Sequence, residues 1–271
     1  MDFSRYRTNR RCQASRNQQF LLPVALALVG LSATAPACAA NPGYDRPGYG
    51  FTPAVLAPGQ ITLEQGLPDW SRDHQDGASN TQYSADSLLR IGVGGPLELQ
   101  LGTSPWNALY QTAAGHTERS SGHGDSTLGL KFALPSASPA FSWGLLGSVE
   151  FTDGAPAFRS NRRQYLLGAQ FNFQVNAQHT LGVYLQDVRS AGASATQLAI
   201  SDNVALSNAL TLYVEAARLH ASAQHSGVIS GAGLAWLIAG RVQFDIGFDH
   251  RVGGTAPEWQ TNLGMAVYFG R

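Results

Sequence analysis

The ten residues RVQFDIGFDH, 241–250, take turns. Val242, Phe244, Ile246 and Phe248 are apolar, while Arg241, Gln243, Asp245 and Asp249 are polar or charged. A period of two means a strand with one greasy face and one wet face. The pattern recurs through Ile61–Leu67, Leu97–Leu101, Leu128–Leu134, Phe141–Phe151, Tyr165–Phe173, Leu181–Leu185, Leu210–Val214 and Leu263–Phe269. Weaker versions fall near 81–92, 194–204 and 227–238. Together they predict about twelve strands of roughly ten to twelve residues, the length a tilted strand needs to cross an outer membrane. The open question is which face is inside. A soluble sandwich buries the greasy face; a transmembrane barrel turns it to lipid and keeps the charges in its lumen.

The N-terminus bears on that choice. Arg5, Arg7, Arg10, Arg11 and Arg16 precede the apolar run FLLPVALALVGLSATAPACAA, which ends in small residues. This is the layout of a secretory signal peptide over residues 1–40, with cleavage expected after Ala40. The apolar core is short for a transmembrane anchor, and Ala35-Pro36-Ala37 before Cys38 is a poor lipoprotein pattern. Five of the 18 Lys+Arg and one of the 18 Asp+Glu lie in this segment, leaving 13 positive and 17 negative residues. So few basic residues argue against nucleic acid as a partner. Cys12 and Cys38 both lie in the segment too, so neither a disulfide frame nor a cysteine metal site is expected in the exported chain. Residues 41–59, NPGYDRPGYGFTPAVLAPG, read as an N-terminal periplasmic arm, and residues 60–271 as one all-β domain.

Connections alternate in length. Short turns are expected at 94–95, 135–139, 176–178, 207–208 and 239–240. Longer polar loops are expected at 71–80, 105–122, 153–162, 188–194, 220–226 and 252–257. Outer-membrane barrels show this asymmetry, with short periplasmic turns and long outer loops. On such a topology Trp70, Trp106 and Trp259 lie where strands meet the longer loops, and Trp143 and Trp236 lie beside short turns. Indole prefers the membrane interface, because an apolar body carries one N–H that wants a partner. The expected fold is therefore a closed antiparallel transmembrane β-barrel of about twelve strands in the outer membrane, with bilayer lipid as its surroundings. The last strand, NLGMAVYFGR, has Val267 and Phe269 at alternate positions near the end. It resembles the C-terminal signal that barrel-assembly machinery reads.

GDSTLGLKFALP (124–135), FDIGFDHRVGGTAPEWQTNLGMAVYF (244–269) and the opening DRPGYGFTPAVLAPGQITLEQGLPDWSR (45–72) together resemble the outer-membrane transporter family associated with the meta pathway of phenol degradation. The resemblance spans nearly all of the exported chain. It implies a β-barrel transporter for small molecules, hydrophobic or aromatic ones among them. It carries no catalytic signature and no substrate residues.

By parity the lumen-lining candidates are Glu64, Asp86, Arg90, Glu98, Lys131, Glu150, Glu215, Arg241, Asp245 and Asp249. Charges of both signs on one face serve either a salt-bridged filling or a polar path for a solute. Two other readings compete with a channel. Some outer-membrane barrels are lipid hydrolases, and His220-Ala221-Ser222 places an imidazole and a hydroxyl at one strand end. The Asn-Gly that usually follows in such enzymes is replaced by Ala223-Gln224, so no catalytic residue is assigned. A structural or adhesive barrel is the third reading. His116, His123 and Asp125 read as a solvated loop rather than a metal site, and no cofactor is expected.

Overall fold

The computed structural model describes residues 43–75, 77–222 and 226–270. The expected signal segment, 1–40, lies outside them. The described residues form an all-β fold of fourteen strand segments. These are β1 (Ile61–Gly66), β2 (Asp69–Gln75), β3 (Ala78–Gly94), β4 (Leu97–Ala113), β5 (His116–Gly122), β6 (Ser126–Leu134) and β7 (Phe141–Glu150). They continue with β8 (Gln164–Gln174), β9 (His179–Ser190), β10 (Ala193–Ala205), β11 (Leu210–Ala221), β12 (Gly227–Ile238), β13 (Val242–Gly254) and β14 (Trp259–Phe269).

Every pairing is antiparallel, and the wall closes where β1 meets β14, Ile61 opposite Phe269. Leu67-Pro68 splits one wall strand into β1 and β2, both of which pair with β3 and β14. Residues 123–125 likewise split another into β5 and β6, both of which pair with β4. The result is a closed barrel of 12 wall strands. Closure matters physically, because it leaves no strand edge with unpaired N–H and C=O groups.

The faces sort oppositely to those of a soluble protein. Ile246 is 56% exposed and Asp245, next to it, 2%. Leu101, Leu130, Leu167, Leu185, Ile200 and Val214 are exposed on the outside, while Glu64, Arg90, Glu98 and Lys131 are buried inside. A continuous apolar exterior over a polar interior suits hydrocarbon rather than water outside. The core of this molecule is its lumen.

Two expected outer loops are strands instead. Residues 71–75 and 78–80 belong to the ladder of the β2–β3 hairpin, and 105–122 form the β4–β5 hairpin, with a tight turn at 114–115. Backbone ladder bonds outweigh the polar composition that suggested loops, since polar side chains are indifferent to pairing when both faces meet water. Trp106 stands nine residues beyond Leu97 in β4. At ~3.3 Å per residue and a tilt of ~40°, that is a height of about 23 Å, close to the apolar band of a barrel. The two hairpins project past it.

Residues 43–60 differ most from expectation. They do not hang from the barrel as a periplasmic arm but run inside it. Gly92 on β3 faces the carbonyls of Leu56 and Ala57 so closely that any Cβ there would collide with them. Gly144 on β7 is similarly close to Pro53. The arm carries Tyr44, Phe51 and Leu56, which are apolar enough to need cover and find it in the lumen. Phe51 packs edge-on against Tyr184, ring centres 5.8 Å apart, in a cluster with Ala199, Ala217, Ile229 and Ala256. Tyr44 and Leu56 join Ala266 and Tyr268 in a second cluster.

Candidate functional site

The arm is held by an ionic network. Glu64, Arg90, Glu98 and Lys131 come from four adjacent wall elements, β1, β3, β4 and β6, at matching heights. Glu98 stands directly opposite Lys131 in the ladder. Arg90 grips Glu98 with two bonds, Nε to Oε1 at 2.7 Å and Nη2 to Oε2 at 3.0 Å, and donates from Nη1 to Glu64 at 2.9 Å. This forked geometry is what makes an arginine–carboxylate pair worth its desolvation. Into the network the arm inserts Asp45. Its carboxylate receives Lys131 Nζ at 2.9 Å and Gln100 Nε2 at 2.8 Å, and lies 3.4 Å from Arg90. The wall acids in turn accept from the arm's backbone: Glu64 from the N–H groups of Asp45 and Arg46, and Glu98 from that of Leu56.

A second contact adjoins it along the wall. Arg46 bridges Asp69 at 3.0 Å and Asp245 at 3.2 Å, and its carbonyl accepts from Gln243. Glu215, on β11, accepts from the Tyr49 N–H at 2.7 Å. Tyr44 donates its hydroxyl to the carbonyl of Arg241. Among the described residues that meet around the arm, seven carboxylates (Asp45, Glu64, Asp69, Glu98, Glu215, Asp245, Asp249) face three cations (Arg46, Arg90, Lys131), a formal excess of four negative charges.

The remaining predicted residues sit elsewhere. Asp86 and Glu150 line a wide cavity of about 920 Å³ on the long-loop side. Glu150 there accepts from Ser160 Oγ and Gln164 Nε2. Arg241 lies in the β12–β13 turn with its side chain exposed, and only its carbonyl meets the arm. The residues that sequence reasoning missed, Asp45, Arg46, Asp69, Tyr49 and Gln100, are mostly on the arm or touch it. A signal was present: an Asp-Arg pair among aromatic residues in a segment otherwise rich in Gly and Pro.

The wide cavity is roofed by the 151–163 segment. Asp125 accepts from the N–H groups of Gly154 and Ser160, which fixes the loop over the barrel mouth. Asp153 accepts from both the hydroxyl and the N–H of Ser126, and these bonds hold its carboxyl below the usual carboxylate range. Arg159 and Arg162 line the cavity from this loop and are exposed. A smaller cavity of about 280 Å³ lies deeper, floored by residues 45–49 of the arm. Gln82 and Ser84 line both, so the two spaces adjoin.

All five tryptophans are on strands. Trp143 donates its Nε1–H to the Pro135 carbonyl at 3.1 Å and stacks on Phe171. Trp259 lies against Phe248 and His250. Trp106 and Trp236 are exposed, and Trp70 is half-buried. His220 and Ser222 do not form a pair. His220 borders an outward groove with Leu167 and Leu198, whereas Ser222 borders the inner cavity and accepts from the Ser194 N–H. His116 and His123 stand at opposite ends of β5, and His123 Nδ1 lies near the Gly124 carbonyl.

Residues 44–269 match the family described as "Putative MetA-pathway of phenol degradation". The chain belongs to that family. The match takes in the whole barrel and nearly all of the lumenal arm. Among solved structures, this family member is similar to an outer membrane channel from Pseudomonas putida F1, with a TM-score of 0.63 and 11% identity, over 80% of this chain and 97% of that one. It is also similar to the KdgM porin in complex with disordered oligogalacturonate, with a TM-score of 0.52 and 9% identity, over 78% of this chain and 99% of that one. At these identities the likeness is one of fold. No curated protein matches the sequence.

Proposed function

We propose that the protein is an outer-membrane channel for the passive movement of small solutes. The observation that carries this reading is the pair of adjoining cavities with polar linings, about 920 and 280 Å³, inside an apolar-sided closed barrel. A barrel built only as a scaffold or adhesin would have no need of such space. The arm makes the constriction, so the solutes are small. The vestibule mixes Ser, Thr, Asn and Arg side chains with Leu109, Phe158 and Val188. That lining suits compact molecules with an apolar body and one or two hydrogen-bonding groups, such as hydroxylated aromatics, in keeping with the family description. In this reading residues 1–40 are the cleaved export signal, and the last strand is the segment presented to assembly machinery.

The test is conductance and solute flux. Purified protein in a planar bilayer is expected to give small unitary currents, and proteoliposomes are expected to swell in phenol-sized solutes but not in trisaccharides. Tight membranes towards every small solute would overturn the channel reading.

A further inference from the structure

We infer that the outward face of the β2–β3 and β4–β5 hairpins binds a phosphorylated glycolipid of the outer leaflet, with Arg72 and Arg119 each taking a phosphate. The site rests on the outer-membrane location proposed above. Residues directly opposite in an antiparallel ladder share a face. His250 pairs with Trp259, Trp259 with Arg72, Arg72 with Thr81, Thr81 with Tyr110, and Tyr110 with Arg119, so six strands carry one row. The β13 end fixes which face this is. Phe248 and His250 alternate with Asp245 and Asp249, whose side chains are buried in the lumen, and both rings lie against Trp259, at 5.1 and 3.9 Å. At the other end the Arg119 guanidinium lies 5.4 Å over the Tyr110 ring, which meets Tyr83 edge-on. The whole row therefore faces out of the barrel.

Its height is that of lipid headgroups. Trp259 stands ten residues before Phe269 in β14. At ~3.3 Å per residue and a tilt of ~40°, that is about 25 Å, the height of the apolar band. Tyr110 stands four residues beyond Trp106 in β4, about 10 Å further out on the same geometry. The row thus starts at the edge of the hydrocarbon and climbs into the hydrated headgroup layer, where Trp and Tyr are at home.

Charge is sorted across these strands. The acids of β2 turn inward and are paired there, Asp69 with Arg46 and Asp73 with Arg251. Outward, neither this row nor the rows directly above and below it on β2–β5 carry a carboxylate among the described residues. Arg72 and Arg119 are exposed and have no ion pair among the described residues. Arg189, elsewhere on the exterior, is by contrast bonded to Asp187 at 2.6 Å. A row of aromatic rings with two unpaired guanidinium groups at the bilayer surface complements anionic headgroups. Arginine presents a fork of donors that matches phosphate oxygens. Three strand spacings of ~4.8 Å put the two arginines about 14 Å apart along the row. That is close to the span of a disaccharide with a phosphate at each end. A zwitterionic phospholipid offers one phosphate and brings its own ammonium, so it fits this face poorly.

Native mass spectrometry of the folded protein in detergent, free of divalent cations, tests this. It is titrated with bisphosphoryl lipid A and, separately, with phosphatidylethanolamine. The wild type is expected to hold one lipid A and to bind it at least tenfold more tightly than the phospholipid. Arg72→Gln/Arg119→Gln should lose that preference. Arg163→Gln/Arg218→Gln removes the same charge from exposed positions outside the row and should keep it. If the first double variant does not fold, judged by its gel mobility before and after boiling, Arg119→Gln alone is compared, and at least threefold weaker binding of lipid A is expected. Equal affinity of the wild type for the two lipids, equal weakening by both pairs of substitutions, or unchanged binding by the folded Arg119→Gln overturns the site. None of these outcomes bears on where the barrel resides, which membrane fractionation reads separately.

Discussion

Single residues in this barrel matter according to the face they occupy. Arg90 is fully buried and holds three carboxylates, two from the wall and one from the arm. Removing one partner of such a network leaves charges uncompensated, which typically costs about 3–5 kcal/mol. Arg90→Met is therefore expected to lower the midpoint of urea unfolding in lipid vesicles by a corresponding amount. A shift within error of wild type would mean that the network does not hold the arm. On the opposite face, Ile246 is exposed to the surroundings of the barrel. Ile246→Arg places a charge in hydrocarbon, at a cost of about 2–4 kcal/mol if the residue sits near the midplane. The discriminating control is Thr117→Arg, on the β4–β5 hairpin that projects past the apolar band. It should be nearly neutral in the same vesicle assay, and equal penalties at both positions would argue against a membrane around β13.

At the scale of elements, the arm sets the width of the lumen. Its contacts are both ionic, through Asp45 and Arg46, and apolar, through Tyr44, Phe51 and Leu56. Deleting residues 43–57 is expected to raise single-channel conductance several-fold while the wall still closes, because β1 and β14 pair without help from the arm. Chemical labelling checks the same point. Ala266 on β14 faces inward, is fully buried and packs with Tyr44 and Leu56. With Cys12 and Cys38 replaced, Ala266→Cys should resist a water-soluble maleimide in the full chain and react once residues 43–57 are gone. Reaction at equal rates in both chains would place the arm outside the lumen.

For the molecule as a whole, closure of all 12 wall strands should give the cooperative resistance typical of barrels without edges. The folded protein is expected to run faster than the boiled one in SDS gels and to fractionate with the outer membrane. Recovery in the soluble fraction would contradict the apolar exterior. The largest openings and the projecting hairpins are on one side of the barrel, while the arm fills the lumen nearer the short turns. A solute entering from the long-loop side thus meets a wide polar vestibule first and the charged constriction second.

The alternation of RVQFDIGFDH and its relatives determined an all-β chain in which each strand states its own parity, and the export-like N-terminus, the unequal connections and the tryptophans at strand ends turned that into a barrel. Parity also picked out Glu64, Arg90, Glu98, Lys131, Glu215 and Asp249 one by one, because facing inward is a local property. Three things are not local. Alternation cannot tell a polar loop from a hairpin wet on both sides, so 71–80 and 105–122 were legible only once their ladders were seen. Parity also fails where a strand has not yet begun, as at Arg241, whose side chain leaves the turn outward. Above all, the arm has no periodicity of its own. What places Asp45 beside Lys131, 86 residues away, is the charge and the shape of a lumen that exists only after the wall has closed.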